Sequence, residues 1–319
     1  SIIQGTGAYL PARSLHNRDL ARMVDTSHDW IVQRSGIETR HIAGEGETTG
    51  YMAARAAERA MQAGGYGPGD IDGIIVATTT PDHTFPSVAV DVQADLGIAP
   101  VCAFDVQAVC SGFVYALSVA DAMICAGPHK RMLVIGAETM SALLDWSDRT
   151  TCVLFGDGAG AVVLEQGVDE SNSGRGILST HLYADGNYKN LLYTDGGASS
   201  GKGCGAIQMQ GREVFKHAVA LMSDIVTEIQ EANNITAADI DWLVPHQANI
   251  RIIEATANKL DMDMSRVIVT VARHGNTSAA SIPLALDEGV RDGRIRSGDT
   301  VLFEALGGGL SWGAALVRM

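Results

Sequence analysis

The chain has 319 residues, enough to bury a large core, and its 46% hydrophobic and 19% charged residues exclude disorder as a main theme. A net charge of −14 argues against nucleic acid and anionic membrane surfaces as main partners, so an anionic ligand needs a local basic patch. The five cysteines, Cys102, Cys110, Cys125, Cys152 and Cys204, are odd in number and form no CxxC pair, which fits free thiols in a reducing compartment. The first residues (SIIQGTGAYLP) lack the charged start and apolar core of a signal peptide, and no window of about 18 residues is uniformly apolar. A soluble, cytoplasmic protein is expected.

Taken in order, Ile2 to Leu10 reads as a strand, and Leu15 to Val24 and Thr26 to Arg34 as short helices. Thr48 to Ala63 is helical, with Thr48 or Thr49 as cap and Gly64-Gly65 as the stop. Gly73 to Thr78 is a continuous apolar run, as expected in a sheet covered on both faces. Val88 to Leu96 reads as a helix, the run ending at Phe104 as a buried strand, and Val114 to Ala126 as a helix with Cys110 near its first turn. Arg131 to Gly136 is another buried strand, and Thr151 to Leu164 reads as two strands joined at Gly156-Asp157-Gly158.

The second part replays this order. Strands are expected at Ile177 to Tyr183, Trp242 to Val244, Val267 to Val271 and Thr300 to Ala305, with a last one inside Leu306 to Val317. Helices are expected at Glu213 to Ala232, Asn249 to Leu260 and Ser278 to Val290. Asp70 and Asp239 lie 169 residues apart, Leu133 and Val301 168, and Asp121 and Asp287 166. Such agreement implies a duplicated α/β unit, with halves 1–170 and 171–319 related by a pseudo-twofold axis. An offset of 166 pairs Cys110 with Asn276, and His246 also follows a strand. Ligand crevices in α/β sheets open at such strand ends, so Cys110, His246 and Asn276 make one candidate site.

A lone cysteine is ordinarily a small buried hydrophobe; at a helix N-terminus it is also a candidate nucleophile, because that position favours the thiolate. A hydrolase using it needs a base to activate water, which an asparagine cannot supply.

Val109-Cys110-Ser111-Gly112, Pro245-His246-Gln247-Ala248-Asn249 and His274-Gly275-Asn276-Thr277-Ser278 closely resemble the active-site motifs of the β-ketoacyl-acyl-carrier-protein synthase III family. The likeness runs nearly end to end, through Phe155-Gly156-Asp157-Gly158-Ala159-Gly160 to Gly307-Gly308-Gly309. It implies a thiolase-like fold, internally duplicated and layered α-β-α-β-α, and the reaction that initiates fatty acid synthesis. Cys110 would take an acyl primer from coenzyme A, acetyl being the expected one, and condense it with malonyl-acyl-carrier protein as CO2 leaves. Backbone N–H groups of Cys110 and Gly308 would form the oxyanion hole, while His246 and Asn276 would stabilise the enolate.

The resemblance further implies that Trp30, Arg34, Arg149 and Asn249 contact coenzyme A. Phe155 and Leu191 would line the primer pocket with Phe85, which reaches across a homodimer. Lys216, Arg251 and Lys259 would dock acyl carrier protein. No metal or redox cofactor is implied. Thr150 and Arg212 depart from residues common in relatives near coenzyme A. Asp195 to Ala206 reads as a variable loop at the site mouth, and Cys102, Cys125, Cys152 and Cys204 receive no role. Two rivals stand beside this reading: an acyl-CoA-primed condensing enzyme of polyketide or quinolone synthesis, and a non-catalytic subunit, whose signature would be loss of Cys, His or Asn.

Overall fold

The computed structural model describes residues 1–167 and 174–319. Its first sheet holds β1 (Ile2–Tyr9), β2 (Gly73–Ala77), β3 (Cys102–Val106), β4 (Arg131–Thr139) and β5 (Asp157–Glu165), in the order β1-β5-β4-β2-β3. The second holds β6 (Gly176–Ala184), β7 (Trp242–Pro245), β8 (Thr300–Gly307) and β9 (Ser311–Arg318), in the order β6-β9-β8-β7. Strand directions repeat as well. β5 is antiparallel to β1 and β4 while β2 is parallel to β4; likewise β9 is antiparallel to β6 and β8 while β7 is parallel to β8.

The helices are α1 (His28–Ser35), α2 (Thr49–Gly64), α3 (Val88–Asp95), α4 (Gly112–Ala126), α5 (Gly211–Asn233), α6 (Ile250–Lys259) and α7 (Ser281–Arg291). α4 and α7 lie between the sheets. Their Phe113, Leu117, Ile282 and Leu286 share one buried cluster with Ile75 and Val134 of the first sheet and Val301 and Phe303 of the second. α2 and α3 cover the outer face of the first sheet, packing Met52, Ala56 and Val92 on Ile74 and Leu133. α5 and α6 cover the second, packing Met222, Ile229 and Ile253 on Leu243 and Leu302. Neighbours such as Ile74 and Ile75, or Leu302 and Phe303, face opposite layers because strand side chains alternate. Five layers, α-β-α-β-α, follow. The apolar segment Val109–Ala126 has a mean hydropathy of 1.7, but it is this central helix, packed between two sheets.

From β2 to β4 and from β7 to β8, the strands and 3-10 turns keep one register. From Gly73 to Trp242, Val109 to Ser278, Gly112 to Ser281 and Arg131 to Thr300, equivalent elements begin 169 residues apart in every case. The expected 166-residue pairing of Cys110 with Asn276 is therefore corrected: Cys110 is equivalent to Ala279. The boundary expected between 170 and 171 lies outside the described residues.

Several local expectations change. β3 is a sheet edge running on to Val106, partly exposed rather than buried, with Cys102 in solvent. Val267 to Val271 makes only a single bridge to Leu243. The buried Gln247 side chain takes the Ile268 carbonyl and the Thr270 and Val271 N–H groups, which a ladder would otherwise use. Leu15 to Val24 forms no helix of that length. Ser14–His16 pairs with Thr39–His41, and a single turn, Asn17–Leu20, follows.

Candidate active site

Cys110 sits in a tight 3-10 turn, Val109–Ser111, that feeds directly into α4. Val109 has φ 48°, a left-handed conformation costly for a β-branched residue and characteristic of functional turns. Ser111 and Ser311 hold the turn: both hydroxyls donate to the Ala108 carbonyl, at 2.7 and 3.1 Å, and they lie 2.9 Å apart. Gly307, at the end of β8, permits this approach. A Cβ there would stand 2.8 Å from the Ala108 oxygen and 2.9 Å from the Cys110 nitrogen.

The sequence predicts a thiolate at this helix start, and the resting structure gives the reverse. Burial pushes the Cys110 thiol up to about 12; the Ser278 hydroxyl opposes that push and the Glu138 carboxylate adds to it.

His246 follows β7, and its N–H donates to the Glu304 carbonyl across to β8 at 2.8 Å. Gln247 braces the turn with four bonds: its amide nitrogen donates to the Pro245 and Ile268 carbonyls, and its amide oxygen accepts from the Thr270 and Val271 N–H groups. His246 Nδ1 lies 2.7 Å from Ser281 Oγ, which also accepts from the Gln247 N–H at 3.3 Å. Burial pulls the imidazole down to about 3, so it is neutral at physiological pH.

Asn276 is held by the segment expected to be a strand before Gly156. Leu154 to Gly156 instead forms a short bridge to Asn276: its N–H donates to the Leu154 carbonyl, and its carbonyl accepts from the Gly156 N–H. The Asn276 side-chain oxygen accepts from the Ser278 N–H at 2.9 Å, which leaves the amide nitrogen as the group able to donate elsewhere. Behind this bridge lies Arg40, fully buried, donating to the Leu15 and Val153 carbonyls and to Asn17. Burial pulls Arg40 down to about 10. Sequence reasoning missed both Arg40 and the Gln247 brace: Arg40 stands in the polar run Glu38-Thr39-Arg40-His41 and Gln247 beside His246, so neither is marked out locally.

Two cavities meet at Cys110. One is narrow and is lined by Cys110, His246, Asn276 and Phe155, then by Phe215, Ala248, Asn249 and Ile252 of the α5–α6 face. The other, of about 1020 Å³, is lined by Cys110, Phe155, Thr79, Leu143, Ile207 and Gly308. Cys110, His246 and Asn276 are thus brought together, with Phe155 at the junction and Gly308 on the larger side. Leu191 is not at this wall: it packs in the outer core of the second sheet, and Leu192 lines both cavities in its place. Phe85 is 84% exposed and lines neither cavity.

Trp30 lies between two guanidinium groups, Arg34 at 4.5 Å and Arg149 at 5.4 Å from its ring centre, and Arg149 also pairs with Asp25. Asn249 caps α6 by accepting from the Ile252 N–H, so its side chain is partly committed. Thr150 donates to Asp148, and Arg212 is exposed. Lys216 and Arg251 are exposed beside the narrow cavity, with Arg251 over the Phe215 ring. Lys259, eight residues further along α6, is about 12 Å from Arg251.

Comparison with known proteins agrees with this geometry. The family model "3-Oxoacyl-[acyl-carrier-protein (ACP)] synthase III" matches residues 104–186, and its C-terminal companion matches 230–319. The β-ketoacyl-[acyl-carrier-protein] synthase III of Rhodospirillum centenum is 60% identical over 318 residues, covering 100% of this chain and 98% of the relative. That of Paramagnetospirillum magneticum is 59% identical, covering 100% and 99%. Among solved structures, the 3-oxoacyl-[acyl-carrier-protein] synthase III of Aquifex aeolicus superposes with a TM-score of 0.94 at 48% identity, covering 100% of this chain and 99% of that one. The priming β-ketosynthase of the R1128 polyketide pathway superposes at 0.93 with 34% identity, covering 99% and 96%. The three synthase III enzymes named are more similar to this chain in sequence than the polyketide priming enzyme is, and the chain belongs to the β-ketoacyl-acyl-carrier-protein synthase III family, condensing acyltransferases of the thiolase fold.

Proposed function

We propose that Cys110 carries the primer and that the two cavities serve the two half-reactions. The supporting observation is that Cys110 is the residue of the triad shared by both, with His246 and Asn276 on the narrow side. Cys110 attacks an acyl-CoA thioester, the C–S bond to coenzyme A breaks, and the acyl group stays on sulfur facing the larger cavity. The N–H groups of Cys110 and Gly308 are the oxyanion donors. Malonyl-acyl-carrier protein then enters by the narrow cavity. CO2 leaves, and charge collects on the thioester oxygen. His246 donates to it from Nε2, a tautomer favoured if Ser281 gives its proton to Nδ1; the Asn276 amide is the second donor. Each such donor is worth about 3 kcal/mol in the transition state. The enolate carbon bonds to the acyl carbon as the bond to Cys110 breaks.

Trp30 between Arg34 and Arg149 suits a purine and phosphates, and Asn249 the pantetheine arm. Lys216 and Arg251, with Lys259 beyond them, form the local basic patch that an acidic carrier protein needs on a chain of net charge −14. The open edge of β3 and the exposed Phe85 support a homodimer, with Phe85 completing the partner's larger cavity. Acetyl is the proposed primer. Incubation with acetyl-, branched and long-chain acyl-CoAs, read by intact mass, tests this: an acetyl adduct on Cys110 is expected. Adducts only from long or aromatic acyl groups would replace the primer assignment, and no adduct at all would overturn the role of Cys110.

A further inference from the structure

Glu304 is a buried acid that the chemistry above leaves unused. It lies on β8, is 1% exposed, and its Oε2 has no hydrogen-bond partner among the described residues. Leu302 and Leu306 pack in the outer core of the second sheet, so Glu304 between them faces the same way. Ala218, Met222 and Ile253 of that core line the narrow cavity, and Glu304 lines it with them. The Thr256 hydroxyl, one turn beyond Ile253 on α6, is also buried and makes no hydrogen bond.

A second buried acid shows what this setting means. Glu138, 0% exposed at the end of β4, is met by five donors. They are the Thr79 N–H at 3.0 Å and the hydroxyls of Thr80 at 2.8 Å, Thr79 at 3.0 Å, Ser278 at 3.0 Å and Thr78 at 3.3 Å. That is the setting of a carboxylate. Glu304 has no such set, and among the described residues no lysine or arginine lines its cavity. An anion there would stand unpaired in an apolar wall, which costs more than keeping the proton. Glu304 is therefore a neutral acid; burial pushes it up to about 8, with the Thr256 hydroxyl opposing. Its O–H is a donor that a group in the cavity can take.

The malonyl group brings the matching acceptor. Its thioester oxygen is assigned to His246 and Asn276, Cys110 carries the primer, and Asn249 is assigned to the pantetheine arm. The free carboxylate is then an anion entering a cavity without a cation, and the polar side chain left on the wall is Glu304. An O–H donated to a carboxylate is among the stronger hydrogen bonds.

We propose that Glu304, as a neutral acid, donates its O–H to the malonyl carboxylate and so selects malonyl over uncarboxylated thioesters on the narrow side. The proposal rests on the reading that malonyl-acyl-carrier protein enters there. Glu304 keeps its proton throughout: the C–C bond breaks, its electron pair forms the enolate, and CO2 departs with both carboxylate oxygens. The hydrogen bond belongs to the ground state and weakens as charge moves to the thioester oxygen. It serves affinity and selection, not rate.

Condensation at saturating acetyl-CoA with varied malonyl-acyl-carrier protein tests this. Glu304→Leu should raise KM for malonyl-acyl-carrier protein about 10-fold or more without lowering kcat. Glu304→Gln, whose amide still donates, should stay within about threefold of wild type. Acetylation of Cys110 by acetyl-CoA, and inhibition by acetyl-acyl-carrier protein, which lacks the carboxylate, should be unchanged in both variants. A wild-type KM or a lowered kcat in Glu304→Leu, an equal loss in Glu304→Gln, or an equal loss of affinity for acetyl-acyl-carrier protein overturns the assignment. Because leucine replaces an unpaired buried acid, Glu304→Leu should unfold in urea at or above the wild-type midpoint. A lower midpoint would reveal a structural partner and overturn the assignment too. A wild-type enzyme that releases no CO2 from malonyl-acyl-carrier protein overturns the underlying reading instead.

Discussion

The turns that precede α4 and α7 are equivalent in the repeat, yet they carry different chemistry. Val109–Ser111 and Ser278–Ala280 are both 3-10 turns, both open on a left-handed non-glycine residue, and both lead into a helix between the sheets. Each rests on the strand of the other sheet: Val109–Ser111 on the end of β8 at Gly307, Ser278–Ala280 on β4 at Gly136. The occupants then diverge. Cys110 in one turn corresponds to Ala279 in the other, and Gly307 in one strand corresponds to Glu138 in the other. Duplication supplied the scaffold twice, and single residues divided the work between nucleophile and supporting polar group.

The largest break in this comparison should come from the nucleophile. Cys110→Ala should lower acyl transfer on the order of 10⁴-fold or more, leaving no adduct by intact mass after incubation with acetyl-CoA. Next, His246→Ala and Asn276→Ala should each slow decarboxylation of malonyl-carrier protein by about 10²- to 10³-fold while sparing Cys110 acylation much more. CO2 release at the wild-type rate in His246→Ala would remove that residue from the step.

A smaller effect sharpens the equivalence of the two supports. Gly307→Ala and Gly136→Ala each place a methyl group against backbone, at 2.8 and 2.2 Å respectively, and should each cost about 1–3 kcal/mol in urea unfolding. A neutral outcome at either position would mean that its turn does not depend on the close approach.

A pH-dependent effect concerns His274, which burial pulls down to about 4. The unfolded chain takes up this proton below pH 6.5, and the folded one declines it. Stability from the neutral ring is therefore complete above pH 6.5 and is lost as pH falls towards 4, at up to about 1.4 kcal/mol per pH unit. His274→Gln should remove that slope, so the variant should gain on wild type between pH 6.5 and 4 in urea titrations. Parallel curves would show that His274 is not held neutral.

Cys110 and His246 were legible because each lies in a short motif just past a strand, where chain order alone puts side chains at a sheet end, while Asn276 was legible from its motif alone, since the strand expected before it does not form. The sheet strands and α2, with its Thr48 cap and Gly65 stop, were legible from apolar runs and punctuation. Register was less so. α7 has 11 residues against 15 in α4, so matching helix starts gives 169, whereas matching the glycines just past their ends, Gly127 and Gly293, gives 166. Burial, which pushes the Cys110 thiol up, is a three-dimensional quantity and was not legible from the chain. Glu138 looked like one polar residue in RMLVIGAET, and nothing local announces that five donors converge on it. Leu191 and Leu192 could not be told apart without knowing which way the chain turns.

The constant spacing of the repeat has a consequence for how this chain tolerates change in length. Gly73 to Val109 and Trp242 to Ser278 span the same number of residues, although the helices between them, α3 and α6, start at different points and cover different lengths. What is matched is the length of chain, which acts as a ruler delivering each turn to its place beneath the facing strand. A residue inserted in 246–277 would displace Asn276 and Ser278 from their partners, and one inserted in 78–108 would displace Cys110. The segment 185–210 lies outside both of these intervals, so growth or shortening there reshapes the cavity mouth and leaves the ruler intact.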